Sequence, residues 1–260
     1  MLTISALLTR TKHSTMNIAA TLTSHVLKRL QELEPITEVS NNDEPLHIFH
    51  HPESGDAVGS IRLYKGENIL ESIVVVHIHA TAMAMDAYML MAFTQPDSLY
   101  PHLAFDTELL PNDSAFHIDL LHKRDFSTDI DYVQSVMSPL SEAFDAANSN
   151  PNFRFSDATH LMKALLNPWM ASYHCLPEHL PEAKTTIDAY IDHWLSLANR
   201  SEGEVVVNTS GDPTVTEFDA AHRAAIFDPR VDVLWDMISQ LIGVESRDLI
   251  LKLVKGESSV

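Results

Sequence analysis

Residues 101–110 read PHLAFDTELL, and this stretch decides the fold class. Successive side chains on a β-strand point to opposite faces, so one face of this segment is apolar, with Leu103, Phe105 and Leu109. The other face carries His102, Ala104, Asp106 and Glu108. Such a face is typical of the solvent side of an antiparallel sheet. It also suits a pocket floor, where burial would raise the pKa of Asp106 and let it act as an acid near neutral pH. The sequence leaves both interpretations open.

Short runs of the same kind fill residues 46–122. They are LHIFHH, GSIRLY, ESIVVVHIHA, YMLMAF and AFHIDLLH, separated by turn clusters such as KGEN and LPNDS. A parallel crossover needs a helix-length connection, and none clearly separates the later strands. The pattern therefore predicts an antiparallel sheet.

Helical periodicity flanks this sheet on both sides. Before it, with Ser14 as a candidate N-cap, apolar residues recur at three- and four-residue steps: Ile18, Leu22, Val26, Leu30 and Leu33. After residue 125, the predicted helices are 128–148, 156–175, 181–200, 214–226, 229–241 and 245–255, with a loop over 201–213. We therefore predict one α+β domain over 1–260, divided into a helical segment (1–45), a sheet (46–122) and a mainly helical part (125–260).

Composition narrows the function classes. The chain has 260 residues, 45% of them hydrophobic, and a formal net charge of −19, which disfavours nucleic acid and anionic membranes as partners. No apolar run is long enough to span a membrane, and the first residues make a poor secretory signal. Cys175 is the one cysteine, so a disulfide framework and a cysteine-rich metal site are excluded. We expect a cytoplasmic protein.

Few standard motifs are present. There is no GxSxG, GxGxxG or P-loop pattern, so nucleotide and flavin sites have no support in the sequence. His77 and His79 share one strand face, which is the spacing of a two-histidine metal site, but a core or pocket location is the favoured interpretation. The methionine-rich stretch MAMDAYMLM is typical of core filling, and it also suits contact with a large planar ligand.

Two stretches resemble a known family. YPHLAFDTELL followed by AFHIDLLHKRDFSTDIDYV is similar to the ferredoxin-dependent bilin reductase superfamily, and closest to red chlorophyll catabolite reductase. The matching positions are Pro101, His102, Asp106, Asp119, Lys123, Arg124, Asp125, Asp131 and Tyr132. The segment 217–248, with Ile242 and Gly243 at its turn, resembles the last helices of the family. The resemblance covers about residues 70–260.

The resemblance implies an α/β/α sandwich with the substrate between the sheet and the C-terminal helices. It implies reduction of an open-chain tetrapyrrole without a bound metal or flavin, by single electrons from reduced ferredoxin through a substrate radical. Pocket carboxylates and water would supply the protons. The central-strand acid of the family falls on Asp106, and its C-terminal aspartate falls best on Asp232, with Asp219 and Asp228 as rivals. His102 or His77 would relay protons.

The remaining site predictions concern binding. The candidate substrate-binding residues are His77, His79, Glu108, Arg62, Arg223 and Asp219, and no metal ligands are predicted. A basic patch of Lys123, Arg124, Arg154 and Lys163 would let this acidic chain meet an acidic ferredoxin. Three alternatives stay open: a protein that binds a tetrapyrrole or another aromatic molecule without turnover, reuse of the fold on a different small substrate, and a metal-dependent enzyme that uses the histidines.

Overall fold

A computed structural model describes residues 17–40, 44–198 and 212–257. Its centre is an antiparallel sheet of nine strands in the order β1-β3-β4-β5-β6-β7-β9-β8, with β2 also paired to β3. The strands are β1 (Thr37–Val39), β2 (His47–His50), β3 (Ala57–Lys65), β4 (Leu70–Ala80), β5 (Met85–Thr94), β6 (His102–Leu109), β7 (Ser114–Leu121), β8 (Arg154–Phe155) and β9 (Ala171–Cys175). The predicted antiparallel sheet is confirmed.

The alternation in β6 separates two layers, as the sequence predicts. Leu103 and Phe105 are fully buried in one hydrophobic core, whereas Ala104 is buried in a second core on the other face of the sheet. Strand β7 follows through a short turn, and its register places His117 directly opposite Asp106. Since partners in an antiparallel pair project to the same face, this register brings polar groups of two strands together.

The first core lies under α1 (Ile18–Leu30), α2 (Ile130–Tyr132), α3 (Ser141–Asn148) and α5 (Ala183–Leu197). A π-helical turn (Val133–Met137) and a 3₁₀ turn (Ser138–Leu140) connect α2 to α3. The predicted stripe on α5 is completely buried against the sheet: Ile187, Tyr190, Ile191, Trp194 and Leu197. Burial of this stripe is what holds α5 on the sheet.

The second core lies under the C-terminal helices α6 (Pro213–Ile226), α7 (Leu234–Ile242) and α8 (Val244–Lys255), and α4 (His160–Leu165) lies beside α6. Gly243 links α7 to α8 with φ +83°, a conformation that favours glycine. Helices therefore cover both faces of the sheet, which confirms the α+β class and the three-layer sandwich. No helix in the described ranges has the length and apolarity needed to cross a membrane.

Several element boundaries differ from the prediction. The helix predicted over 156–175 is wrong, because the chain forms the short α4, turns at Asn167 and Pro168, and then adds β9 to the edge of β7. Strand β1 lies inside the segment predicted to be helical, and the helix predicted from 229 begins at Leu234. Asn17 caps α1. Ser14 and most of the predicted loop 201–213 lie outside the described residues.

Candidate active site

A cavity of about 330 Å³ lies between the sheet and the C-terminal helices. Strands β4 to β7 form its floor, while α4, α7 and the turn before α7 form its walls and roof. Most of its lining is apolar and adaptable, including six methionines: Met85, Met89, Met91, Met162, Met170 and Met237. Leu234 and Met237 of α7 line the cavity and are exposed to solvent as well, so they mark its open side.

Three polar groups meet at this cavity. The side chain of His117 in β7 bonds through Nδ1 to Oδ2 of Asp106 in β6, at 2.8 Å. Asp232 lies in the turn between α6 and α7, lines the same cavity and interacts electrostatically with both. We call Asp106, His117 and Asp232 the cavity cluster. Its members come from three separate elements, and the sheet register together with the helical roof brings them into one place.

The cavity cluster is a set of groups able to hold protons. Burial alone would lower the pKa of His117, but the hydrogen bond and charge of Asp106 outweigh it, aided by Asp119 and Asp232, so this pKa is raised. Burial raises the pKa of Asp232, and the charge of Asp106 adds to that effect. Groups shifted in this way hold protons at higher pH than free side chains do, which suits general acid chemistry.

His102 lies outside the cavity, in a second cluster. Its Nε2 is 2.6 Å from Oδ1 of Asp219 in α6, and Lys123 Nζ lies 2.9 Å from the same oxygen. The backbone N–H of Thr94 donates to Nδ1 of His102, so Nε2 carries the proton and donates to Asp219. We call His102, Asp219, Lys123 and Arg223 the buried cluster. Each of its side chains is at most 4% exposed.

The buried cluster is a structural connection between α6, α8 and the sheet. Arg223 donates to the carbonyl of Val254 in α8 and to Glu71, and its guanidinium lies 3.9 Å from the centre of the Phe93 ring. The sequence predicts His102, Asp219 and Arg223 as catalytic or substrate-binding residues. The structure places all three in the buried cluster, and none of them lines the cavity. The helix α6 closes over that end of β6, which strand alternation alone does not reveal.

Three further predicted binding residues lie on the opposite face of the sheet. His77 bonds to Asp86 at 2.5 Å, and His79 lies 4.0 Å from the same carboxylate. Arg62 bonds to Glu38 of β1 at 2.5 Å. On β4 it is Val76 and Ile78 that line the cavity, so the neighbouring histidines point towards the layer that contains α1. None of these three side chains lines the cavity.

Glu108 does line the cavity, on the same strand face as Asp106. Burial raises the pKa of Glu108, with His174 and Asp113 as its charged neighbours. Asp228, a predicted rival of Asp232, bonds instead to the exposed Arg230. Among the described residues, no group of three or more His, Cys, Asp or Glu has the arrangement of a metal site.

The predicted basic patch is corrected by the structure. Lys123 is completely buried in its ion pair with Asp219, so it cannot contribute to a docking surface. Arg124 bonds to Asp212 at the start of α6. Arg154 is 74% exposed, and Lys163 is exposed on α4.

His117 is the site residue that the sequence analysis missed. The signal for it was present in AFHIDLLH, where His117 alternates with the buried Phe116 and Ile118. A hairpin closed by the turn after Leu109 pairs Leu109 with Ser114, and counting back along both strands pairs Asp106 with His117. The register of one hairpin is therefore enough to identify the partner.

The fold and site together define a three-layer α/β/α sandwich with an acid–imidazole cluster in a cavity under its C-terminal helices. Among solved structures, the chain is similar to phytochromobilin synthase from tomato, whose crystal structure holds biliverdin. The TM-score is 0.69 at 12% sequence identity, and the match covers 90% of this chain and 82% of that chain. At this identity the likeness shows a shared fold. No protein-family model and no curated protein matches the chain.

Proposed function

We propose that the chain is an enzyme that reduces an open-chain tetrapyrrole, a bilin or a molecule like red chlorophyll catabolite. The observation that carries the proposal is the cavity cluster of Asp106, His117 and Asp232, set in an apolar cavity between the sheet and the C-terminal helices. The sequence resemblance to the bilin reductases and the fold shared with a biliverdin-bound protein support the same substrate class.

Reduction of a tetrapyrrole requires proton donors rather than a nucleophile. Reduction of one double bond takes up two electrons and two protons. Reduced ferredoxin supplies the electrons one at a time, so the substrate passes through a radical, and no cofactor bound to the chain is required. The protons come from the cavity cluster, where the raised pKa values of His117 and Asp232 favour their protonated forms.

The walls of the cavity suit a flat, conjugated ligand. Methionine side chains are flexible and polarisable, so they can pack against a ring system of irregular outline. The volume lies within the range of small-molecule sites, roughly 300–1,000 Å³. Apolar walls also exclude water, which protects a radical from side reactions. Within the described part of the lining there is no Lys or Arg, so the acidic groups of a bilin would face the open side.

The first experiment is a visible-spectrum titration with biliverdin and with an open-chain chlorophyll catabolite, followed by addition of reduced ferredoxin. We expect a spectral shift on binding and a second change on reduction. The variant Asp106→Asn keeps the shape of the side chain but removes its proton. It should bind with wild-type affinity and reduce the ligand at least about 100-fold more slowly, since general acids contribute about 10²–10⁴-fold.

The matched control is Asp145→Asn, which changes an exposed aspartate of α3 that does not line the cavity. It should behave as the wild type does. A wild-type rate in Asp106→Asn would overturn the role of this acid. Binding without reduction in the wild type would favour the non-catalytic binding protein, and no spectral shift with either ligand would favour reuse of the fold on a different small substrate.

A further inference from the structure

Asp119 is a buried acid next to the cavity cluster. It lies in β7 two residues after His117 and is 0% exposed. Its Oδ1 accepts a hydrogen bond from the side-chain amide of Asn167, in the turn between α4 and β9, and the same amide donates to the carbonyl of Leu120. Its other oxygen, Oδ2, is buried and has no hydrogen-bond partner in the described structure.

His117 has a matching free position. Its Nδ1 is bonded to Asp106, whereas its Nε2 is buried without a hydrogen-bond partner among the described residues. Residues two apart on a strand lie on the same face, with Cα atoms about 6.6 Å apart. His117 and Asp119 pair with Asp106 and Ala104 of β6, so their side chains are neighbours on the same face of the sheet. Unpaired buried polar atoms are rare, so two of them on neighbouring side chains call for a common explanation.

The surroundings of Asp119 favour its protonated form. Burial raises its pKa to about 6, while His117 and the Asn167 amide act in the opposite direction. The polar groups that act on it are His117 on its own strand and Asn167 in the covering turn. Its charge also helps to raise the pKa of Tyr190 on α5, in the layer on the other face of the sheet. Asp106 and Asp232 act electrostatically on His117, as Asp119 does.

We propose that Asp119 is a positioning residue that stores a proton for His117 and returns it to the imidazole at Nε2 during turnover. This inference rests on the proposed reduction. The Asp106–His117 pair holds one transferable proton and Asp119 holds a second, which matches the two protons that a two-electron reduction takes up. Asp106 is the residue that touches the substrate, and Asp119 acts through His117.

The transfers balance as follows. The O–H bond of Asp106 breaks as a new bond to hydrogen forms on the substrate. His117 passes its Nδ1 proton to Asp106 and takes the proton of Asp119 at Nε2, so the O–H bond of Asp119 breaks and an N–H bond forms. Asp106 is thereby protonated again for the second transfer. Each electron comes from the reduced ferredoxin named above, and between turnovers the Asp106–His117 pair and Asp119 each regain one proton from water.

The test is Asp119→Asn in the full chain, which keeps an oxygen for Asn167 but cannot release a proton. We expect biliverdin to bind within about twofold of the wild-type affinity. The second protonation should slow at least about tenfold, so that the substrate radical accumulates in electron paramagnetic resonance after a single turnover. In the wild type this step should slow as the pH rises above about 6, because the acid form is lost. The variant should lack that dependence.

A second readout does not depend on activity. The pKa of His117, followed by NMR of its ring, should fall in Asp119→Asn because one neighbouring negative charge is removed. Asn167→Ala provides an independent variant that keeps the carboxylate. It removes a hydrogen bond that favours ionised Asp119, so the pH dependence should move to higher pH. Asp145→Asn should change none of these quantities.

The outcomes separate the two proposals. If the wild type reduces biliverdin and Asp119→Asn keeps both the wild-type pH profile and the wild-type His117 pKa, the storage role is overturned and the reductase stands. If Asp119→Asn does not fold, a pH profile in Asn167→Ala that matches the wild type overturns the storage role. If the wild type neither binds nor reduces a tetrapyrrole, the proposed function fails and the storage role fails with it.

Discussion

Strand β6 carries two histidine–aspartate pairs on one face, and they have opposite properties. In the buried cluster, His102 lies 2.6 Å from Asp219, and in the cavity cluster, Asp106 lies 2.8 Å from His117. Burial lowers the pKa of His102 to about 3, aided by the charge of Lys123, whereas the pKa of His117 is raised. The distance between the imidazole nitrogen and the carboxylate oxygen is nearly the same in both pairs.

The difference comes from the charges that surround each pair. Burial alone would raise the pKa of Asp219, but the contacts with His102 and Lys123 outweigh it, so this pKa is lowered and the carboxylate stays ionised. Burial together with the charges of Lys123 and Arg223 lowers the pKa of His102, so the imidazole stays neutral. His117 is instead surrounded by carboxylates, which favour its protonated form. A histidine–aspartate contact is therefore no sign of catalysis by itself. Neighbouring cations keep the imidazole neutral, and neighbouring acids favour its protonated form.

The largest expected effect comes from breaking the buried cluster. Asp219→Asn removes the carboxylate that contacts both His102 and Lys123, so the buried ammonium loses its ion-pair partner and keeps the weaker influence of Glu71. Losing one member of a buried ion pair costs about 3–5 kcal/mol, so we expect a fall of that size in the free energy of unfolding. Urea denaturation measures it, with Asp145→Asn as the control. A loss below about 1 kcal/mol would show that the cluster does not hold α6 on the sheet.

A smaller effect should appear in the pH dependence of stability, with opposite signs for the two histidines. The pKa of His102 is lowered on folding, so the unfolded chain binds more protons, and stability is lost as the pH falls from about 6.5 towards 3. The pKa of His117 is raised, so its contribution is present below about 6.5 and is lost as the pH rises through its folded value.

Two variants isolate these contributions. His102→Gln keeps a donor at the position of Nε2, and His117→Asn keeps one at the position of Nδ1. The first should remove roughly 2–3 kcal/mol of the loss on the acid side, and the second should flatten the decline in stability on the alkaline side. Urea denaturation across the pH range measures both. Slopes of the same sign would contradict the contrast between the clusters.

Most of the fold could be predicted from the sequence. Alternation in β6 predicted which side chains enter each layer, and the stripe from Ile187 to Leu197 predicted α5. Strand β9 was not predicted, because its sequence ASYHC is only five residues long. Its strand conformation depends on pairing with β7, which lies more than fifty residues earlier. Short apolar runs do not distinguish a helix from an edge strand.

The site was only partly predictable, for a different reason. Asp106 and Asp232 were proposed from the resemblance to the bilin reductases, and the structure brings both to the cavity. His102 shares a strand face with Asp106, but the closure of α6 over that end decides its surroundings. The location of His77 and His79 could be predicted only with the orientation of β4 known, because a shift by one residue exchanges the two faces of a strand. Such facts depend on tertiary packing and not on local pattern.

The smallest effect is expected at Glu108, which tests where the cavity cluster ends. This acid lines the cavity two residues from Asp106, yet its charged neighbours are His174 and Asp113, and neither belongs to the cluster. Glu108→Gln should therefore change the rate of reduction less than about threefold and stability by at most about 0.5 kcal/mol, as for other polar changes outside a network. Single-turnover rates and urea denaturation check both values. A loss comparable with that of Asp106→Asn would instead place Glu108 among the proton donors, and the acidic face of β6 would then act as one continuous unit from the hairpin turn to His117.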